Sequence, residues 1–417
     1  MRKTDFRRLD REQYTDIMFC SVVGYSLIIF TNNNIIRLIV GNTYNLDTAF
    51  VTLCYLFFAI KSLPQVLLST KVRDSLFLLM LICLPLLAAF YSLSNFDITK
   101  RILHQVIFNC IPAYAFGISI KDYKQTCKYL YNFAWIALIL LFFDVYIIEV
   151  LSSDHMLGYA ALFCGCIFVV DLISRHKLIN IIGLLVAIIL TVQSDTAGSL
   201  VALTICSLIA ALYYVKPLTP VKLLFLAIGT ILVVAVIINY KVIVLAASTY
   251  LGKYNVNVNV LQEILDNNVA ADRYRISIFN YCWEYAKTHL FWGCGVGNDR
   301  VLITQNTLVR YQKMLGNYPH NIFLEFMMQF GLIIGCIISI CLVRFLLCYI
   351  VRENDTSAQK IMIILIAIGL LPLFYSSSYI ENASFFLLVG FCIGRLRLIK
   401  RARMYSKRNR ENQYDAN

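Results

Sequence analysis

Long apolar runs recur along this chain, and each must be buried in something other than water. They centre near Tyr25, Tyr55, Ile82, Pro112, Ile139, Phe163, Leu185, Thr204, Leu232, Ile333, Ile366 and Leu388. A helix needs about 20 mostly apolar residues to cross the hydrocarbon of a bilayer, and the runs are of that order. With 59% hydrophobic and 15% charged residues over 417 positions and a mean hydropathy of +0.71, a globular fold with a solvated surface is excluded. The expectation is an all-α integral membrane protein of about 12 transmembrane helices. Asn32, Asn33, Asn34 and Arg37 interrupt the first run, and the tenth extends toward Arg344.

Basic residues are retained on the cytoplasmic side of a membrane, so their placement orients the chain. Lys61, Lys71 and Arg73; Lys121, Lys124 and Lys128; Arg175 and Lys177; Lys216 and Lys222; and Arg344 and Arg352 mark every second loop. The segment after Gly394 is also basic, and Arg2, Lys3, Arg7, Arg8 and Arg11 precede the first run with no small-residue cleavage site after it. An uncleaved first helix and two cytoplasmic termini follow, which requires an even number of spans. The net charge of +13 is accounted for by orientation and by anionic lipid, so a nucleic-acid partner is not expected.

Four parts emerge: residues 1–240 with the first nine spans, a long non-cytoplasmic loop at 241–319, spans ten to twelve at 320–399, and a basic tail at 400–417. A loop of that length in a compact membrane protein usually carries function. Within it, Asp272 to Leu290 reads as an amphipathic helix with Ile276, Phe279, Trp283, Ala286 and Leu290 on one face. Residues 255–260 alternate polar and apolar over too short a stretch to decide a strand. Gly293-Cys294-Gly295-Val296-Gly297 mimics a dinucleotide-binding glycine loop, but with no βαβ context it reads as a tight turn. Most of the cysteines lie in apolar segments and there is no CxxC or zinc spacing, so no metal site is expected. Cys282 and Cys294, both in the long loop, are the one pair for which a disulfide is open.

The candidate chemistry gathers at the loop's end, Tyr318-Pro319-His320-Asn321-Ile322-Phe323-Leu324-Glu325. An imidazole moves protons near neutral pH, and at a helix N-terminus, among partly positive N–H groups, its neutral form is favoured. His320 and Asn321 are equally read as an ordinary helix cap at the interface. The loop's charges include Lys253, Arg273, Arg275, Arg300, Arg310 and Lys313, a modest basic surplus that suits a diphosphate, since guanidinium forks match phosphate oxygens. Lys100 and Arg101 stand against the retention rule at the outer end of the fourth span, either for an anionic ligand or as a tolerated pair. His104, beside Gln105 and Asn109, is a second histidine candidate; His155 and His289 read as loop or interface residues. Asp154, Asp195 and Glu381 share the outer side without forming a paired-carboxylate motif.

His320-Asn321, Leu324, Gly331 and Gly335, preceded by Arg275, Trp283, His289, Gly293, Gly295 and Asn298, form a pattern that resembles the O-antigen ligase and O-antigen polymerase family. The resemblance covers Arg275 to Gly335 in sequence and, through the span layout with its long loop between spans nine and ten, the whole chain. It implies a GT-C-like membrane glycosyltransferase of the bacterial inner membrane, working on the periplasmic face without metal or cofactor and with inversion. The implied donor is a glycan on undecaprenyl diphosphate, the acceptor another lipid-linked glycan or lipid A-core, and a chain-length regulator is a further candidate partner.

By the resemblance, the catalytic base falls on His320 and the diphosphate-contacting arginine on Arg275, with Asn321, Gly293 and Gly295 in supporting positions. The family's Ser-x-Ser-Arg at the junction of spans seven and eight is replaced by Gln193-Ser194-Asp195-Thr196-Ala197-Gly198, which has no arginine. Arg273, Arg101 or Lys100 are the candidates to replace that contact. Polymerisation of repeat units is the leading expectation and ligation the alternative. A flippase of lipid-linked oligosaccharide is the rival from another class, weakened by the few charges within the spans (Arg101, Asp144, Asp171).

Overall fold

In a computed structural model of the chain, the described residues are 11–23, 46–71, 96–146, 155–194, 197–214, 245, 249–250, 269–307, 318–375 and 377–414. The apolar runs centred on Tyr25, Ile82 and Leu232 lie outside them, as do residues 255–260, Lys253, Arg310, Lys313, Asp154 and Asp195. The described helices are α1 (Arg11–Val23), α2 (Leu46–Ser69), α3 (Phe96–Gln105), α4 (Ile111–Ser119), α5 (Tyr123–Tyr146), α6 (His155–Arg175), α7 (Ile179–Gln193) and α8 (Ala197–Tyr214). They continue with α9 (Val269–Thr288), α10 (Asn298–Asn306), α11 (Ile322–Phe330), α12 (Leu332–Arg352), α13 (Thr356–Leu365) and α14 (Ala383–Tyr414). No strand occurs among the described residues.

Five stretches of described helix are long and apolar enough to cross a membrane: Ile98–Ser119, Tyr123–Phe143, Leu157–Arg175, Leu332–Arg352 and Thr356–Phe374; Ile179–Val192 and Gly198–Tyr214 are shorter apolar helices. The chain is an integral membrane protein. Helix α12 shows why water is the wrong solvent: Ile333, Ile337, Ile340, Leu347 and Val351 are exposed at helical spacing. An apolar stripe on the outside of a bundle faces lipid. In the centre, α4 and α14 cross so closely that a Cβ on Gly117 would strike the Leu387 carbonyl and one on Gly390 the Tyr114 carbonyl. Close backbone approach at small residues is how helices gain contact where no hydrophobic force separates helix from lipid.

The tenth apolar run departs from the sequence expectation of one helix from Pro319 through Gly331 and Gly335. Gly331 has φ +89 and ψ 159, and it breaks the run into α11 and α12. Leu332 and Ile333 then donate their amides to the carbonyls of His289 and Leu290 at 3.0 and 2.9 Å, satisfying donors that a helix start leaves open. Gly335 lies against the backbone of Met327, so α12 folds back along α11. At 9 residues, α11 is about 14 Å long and too short to span the bilayer. His320 therefore precedes a short helix at the bundle end and not the span itself.

Polar residues segregate to the two ends of the bundle. At the Arg352 end, Arg395 donates to Glu353 at 2.7 and 2.8 Å. There too, Lys360 and Asn180 donate to Asp171 at 3.0 and 3.2 Å. At the Leu332 end lies a second cluster, which contains Arg300 and His320. Across the 21 residues of α12 the two ends are about 30 Å apart.

Candidate functional site

The loop helix α9 buries Ile278, Cys282 and Ala286 at a spacing of four and docks this face against α11. Cys282 and Cys294 are both free thiols in one small apolar cluster with Ile278, Ile303 and Met328. The expected tight turn follows α9. Cys294 and Gly295 donate their amides to the carbonyls of Met328 and Gln329 at 2.9 and 3.0 Å, closing the C-terminal end of α11. Gly293 packs directly on the Gln329 backbone, and Gly297, at φ +88, packs on Ile102 of α3. At the other end of α11, Asn321 Oδ1 accepts from the amides of Phe323 and Leu324 at 3.0 and 3.2 Å. Asn321 is thus the N-cap of α11, and the glycine turn is its C-terminal seat.

The turn delivers Asp299 and Arg300 into the interior, 0% and 1% exposed. Arg300 Nη1 lies 3.4 Å from Asp299, while Nη2 donates to Ser378 Oγ at 3.1 Å and lies 3.6 Å from Glu381 Oε1. The Ser378 hydroxyl donates to Glu325 Oε1 at 2.5 Å, and the Tyr379 amide to Glu325 Oε2 at 3.4 Å. Burial and the neighbouring Asp299 push the Glu325 carboxyl well above the ordinary carboxylate range, against the opposing pull of Arg300. The carboxylates of Asp299 and Glu381 hold Arg300 charged in spite of its burial.

His320 adopts φ +52, a left-handed conformation that non-glycine residues rarely take. The Tyr318 ring lies 4.3 Å from the imidazole, and the Arg300 guanidinium stands over the same ring at 5.6 Å. His320 Nδ1 is buried with no hydrogen-bond partner among the described residues. Burial first, then the positive charges of Arg275 and Arg300, lower the imidazole pKa to about 4. The group is a neutral proton acceptor across the physiological range.

The structure thus brings His320, Asn321, Arg275, Gly293 and Gly295 to one end of the bundle. Arg101 joins them from α3: its Nη2 lies 3.6 Å from Glu381 Oε1, the same oxygen that faces Arg300. Lys100 is exposed beside it, and the side chain of Arg273 lies outside the described residues. His104 stands apart, exposed and in ring contact with Phe108, while Asn109 bonds Gln105. His289 stacks on Tyr285 at 3.9 Å. Among the described residues, no three His, Cys, Asp or Glu side chains are placed to hold a metal ion. Ser378 carries no sign in the sequence, whereas Arg300 stands there only as one cation of the loop, and Tyr318 and Glu325 only as members of the loop-end run. For Glu325 the further signal is a charge in an otherwise apolar helix.

The fold and this end-of-bundle cluster define an integral membrane protein that holds a neutral imidazole among cations at the mouth of its spans. Residues 182–339 match the family model described as O-Antigen ligase. No curated protein matches the chain. The matched stretch contains Arg275, Arg300, His320 and Glu325, whereas Arg101, Ser378 and Glu381 fall outside it.

Proposed function

We propose that this protein polymerises O-antigen or related surface-polysaccharide repeat units from undecaprenyl-diphosphate-linked donors on the periplasmic face of the inner membrane. The observation that carries this reading is His320: neutral, strained in its backbone, with Nδ1 unpartnered among the described residues, and flanked by the charges of Arg275 and Arg300 inside the matched stretch. In the proposed reaction the imidazole accepts the proton of the acceptor hydroxyl as its oxygen attacks the anomeric carbon. The bond from that carbon to the diphosphate oxygen breaks on the opposite face, the anomeric centre inverts, and undecaprenyl diphosphate departs.

Negative charge on the leaving diphosphate is met by Arg275, with Arg101 as the second contact and Lys100 beside it. Guanidinium groups in a poorly hydrated cleft supply this stabilisation without a metal, and removing one such donor typically costs about 3 kcal/mol. The layout is proposed as GT-C-like with about 12 spans and both termini in the cytoplasm. The basic cluster at the Arg352 end of α12 supports that orientation, because it puts His320 on the opposite face. The division at 1–240, 241–319, 320–399 and 400–417 is proposed with it.

A second reading, transfer of the finished glycan to lipid A-core, is favoured by the description of the matched family as O-Antigen ligase. The deciding experiment supplies purified protein with a defined lipid-linked donor and either a lipid-linked repeat or lipid A-core. Elongation of the lipid-linked repeat supports polymerisation, and product only on lipid A-core selects ligation. Flipping of the donor with no new glycosidic bond to either acceptor removes the enzymatic reading.

A further inference from the structure

We propose that Arg300 is a positioning residue that acts on His320 through the ring of Tyr318, and that it makes no contact with the donor diphosphate. The inference rests on the reading of His320 as the base. Its physical ground is that His320 occupies a strained backbone conformation, which persists only where the surroundings over-determine it. Asn321 fixes the residue after it by capping α11. On the preceding side, Pro319 is buried and Tyr318 lays its ring 4.3 Å from the imidazole.

Tyr318 in turn is held by Arg300, whose guanidinium carbon stands 5.6 Å from the ring centroid. A cation over an aromatic face is held more strongly when desolvated, and Arg300 is 1% exposed. The guanidinium cannot serve two masters. Its Nη groups are directed at Asp299, Ser378 and Glu381, and with its burial this leaves no open fork for a phosphate. Arg275, on the exposed side of α9, retains that capacity.

Three carboxylates surround Arg300: Asp299 on α10, Glu325 on α11 and Glu381 on the turn after α13, with Arg101 of α3 neutralising Glu381 from outside. Ser378 links Arg300 to Glu325 on α11, the helix that follows the base. The chain of contacts from Arg300 through Tyr318 to His320 on one side, and through Ser378 and Glu325 to α11 on the other, grips the base from both ends of its short segment. Arg300, Tyr318 and Glu325 lie within the matched stretch, and Ser378 and Glu381, on the turn before α14, lie outside it.

The test compares Arg300→Lys, Arg300→Gln, Tyr318→Leu and Tyr318→Phe with His320→Ala, using full-length protein in detergent and a lipid-linked donor. Tyr318→Leu is expected to lower kcat about 100-fold, the scale of a misplacement near 1 Å, with the donor KM unchanged. Tyr318→Phe keeps the ring and is expected to recover most of that loss. Arg300→Lys keeps the charge but loses the planar fork, so its kcat falls with KM unchanged. Arg300→Gln also removes a charge that faces His320, alongside that of Arg275, so the acid limb of its kcat/KM profile moves upward in pH. Thermal melting of each variant separates loss of fold from loss of position, and Tyr318→Phe serves as the folded control should Arg300 variants fail to fold. A donor KM that rises in Arg300→Lys while kcat holds, or full activity in Tyr318→Leu, overturns the inference. Full activity in His320→Ala overturns the underlying reading instead.

Discussion

The Ser378 hydroxyl donates to Glu325 Oε1 at 2.5 Å, joining residues 53 positions apart across the buried end of the bundle. Gln329 Nε2 and the Tyr379 amide approach the same carboxyl at 3.4 Å each. The group is therefore needed as a hydrogen-bond acceptor more than as a charge. Burial and Asp299 raise its pKa, so the folded state holds the proton more tightly than the unfolded chain does.

It follows that Glu325 contributes most to stability in acid, and that this contribution is lost as pH rises from the ordinary carboxylate range through the raised value. Glu325→Gln should keep the shape and the acceptor oxygen, retain folding, and flatten the fall in melting temperature toward alkaline pH. Glu325→Ala leaves Ser378 and the Tyr379 amide without their acceptor, at a cost of about 1–3 kcal/mol for each buried group. Melting curves in detergent at several pH values check both. A steeper alkaline loss in Glu325→Gln than in the parent would falsify the assignment.

The imidazole of His320 titrates the other way. Its folded pKa of about 4 lies below the usual 6.5, so the fold disfavours imidazolium. The associated stability is complete above the unfolded value and is lost as pH falls from 6.5 toward 4. In activity the acid limb of kcat/KM should lie well below 6.5. Once a diphosphate offsets Arg275, one of the charges that lower the pKa, the limb of kcat should lie higher than that of kcat/KM. Coincidence of both limbs at 6.5 would show that His320 is not the titrating group or is not shielded as the geometry requires.

The runs about Pro112, Ile139, Phe163, Ile333 and Ile366 were legible as long apolar helices because hydropathy acts locally along the chain. The break at Gly331 was not, because a glycine inside an apolar run looks the same whether the helix continues or turns back. Only the carbonyls of His289 and Leu290, some 40 residues earlier, make the new helix start affordable. Arg300 was hidden for a similar reason. In sequence it is one basic loop residue among several, and its burial depends on Ser378 and Glu381 about 80 positions later. The missing arginine after α7 was visible, whereas the fact that Arg101 is tied to the same oxygen as Arg300 needed three dimensions.

Gly297 offers a test of the turn that delivers Arg300. At φ +88, with Ile102 directly against the position a Cβ would occupy, alanine there meets both backbone strain and a side chain that must move. Gly297→Ala should destabilise by more than about 1 kcal/mol and should lower activity, because α10 carries Asp299 and Arg300. Gly295, at φ +83 but with nothing within 4 Å of that position, separates the two effects. Gly295→Ala should carry the strain alone and so lose less stability than Gly297→Ala. Equal melting temperatures for the two variants would remove the contact between α3 and the turn from the account.

Glu381 sets the charge that an incoming anion meets. Its Oε1 lies 3.6 Å from both Arg101 and Arg300, and the Arg101 side chain is 45% exposed whereas that of Arg300 is 1% exposed. The exposed partner is the one able to exchange a carboxylate for a phosphate. Glu381→Gln removes the competing charge, so Arg101 should engage an anionic donor more readily and donor KM should fall. Arg101→Ala should raise donor KM about 10-fold, the scale of one charge-assisted hydrogen bond. In the double variant the gain from Glu381→Gln should vanish, because its route through Arg101 is gone. If the double variant keeps the lower KM, the carboxylate repels the donor directly and Arg101 is a structural partner of Glu381, not a ligand of the diphosphate.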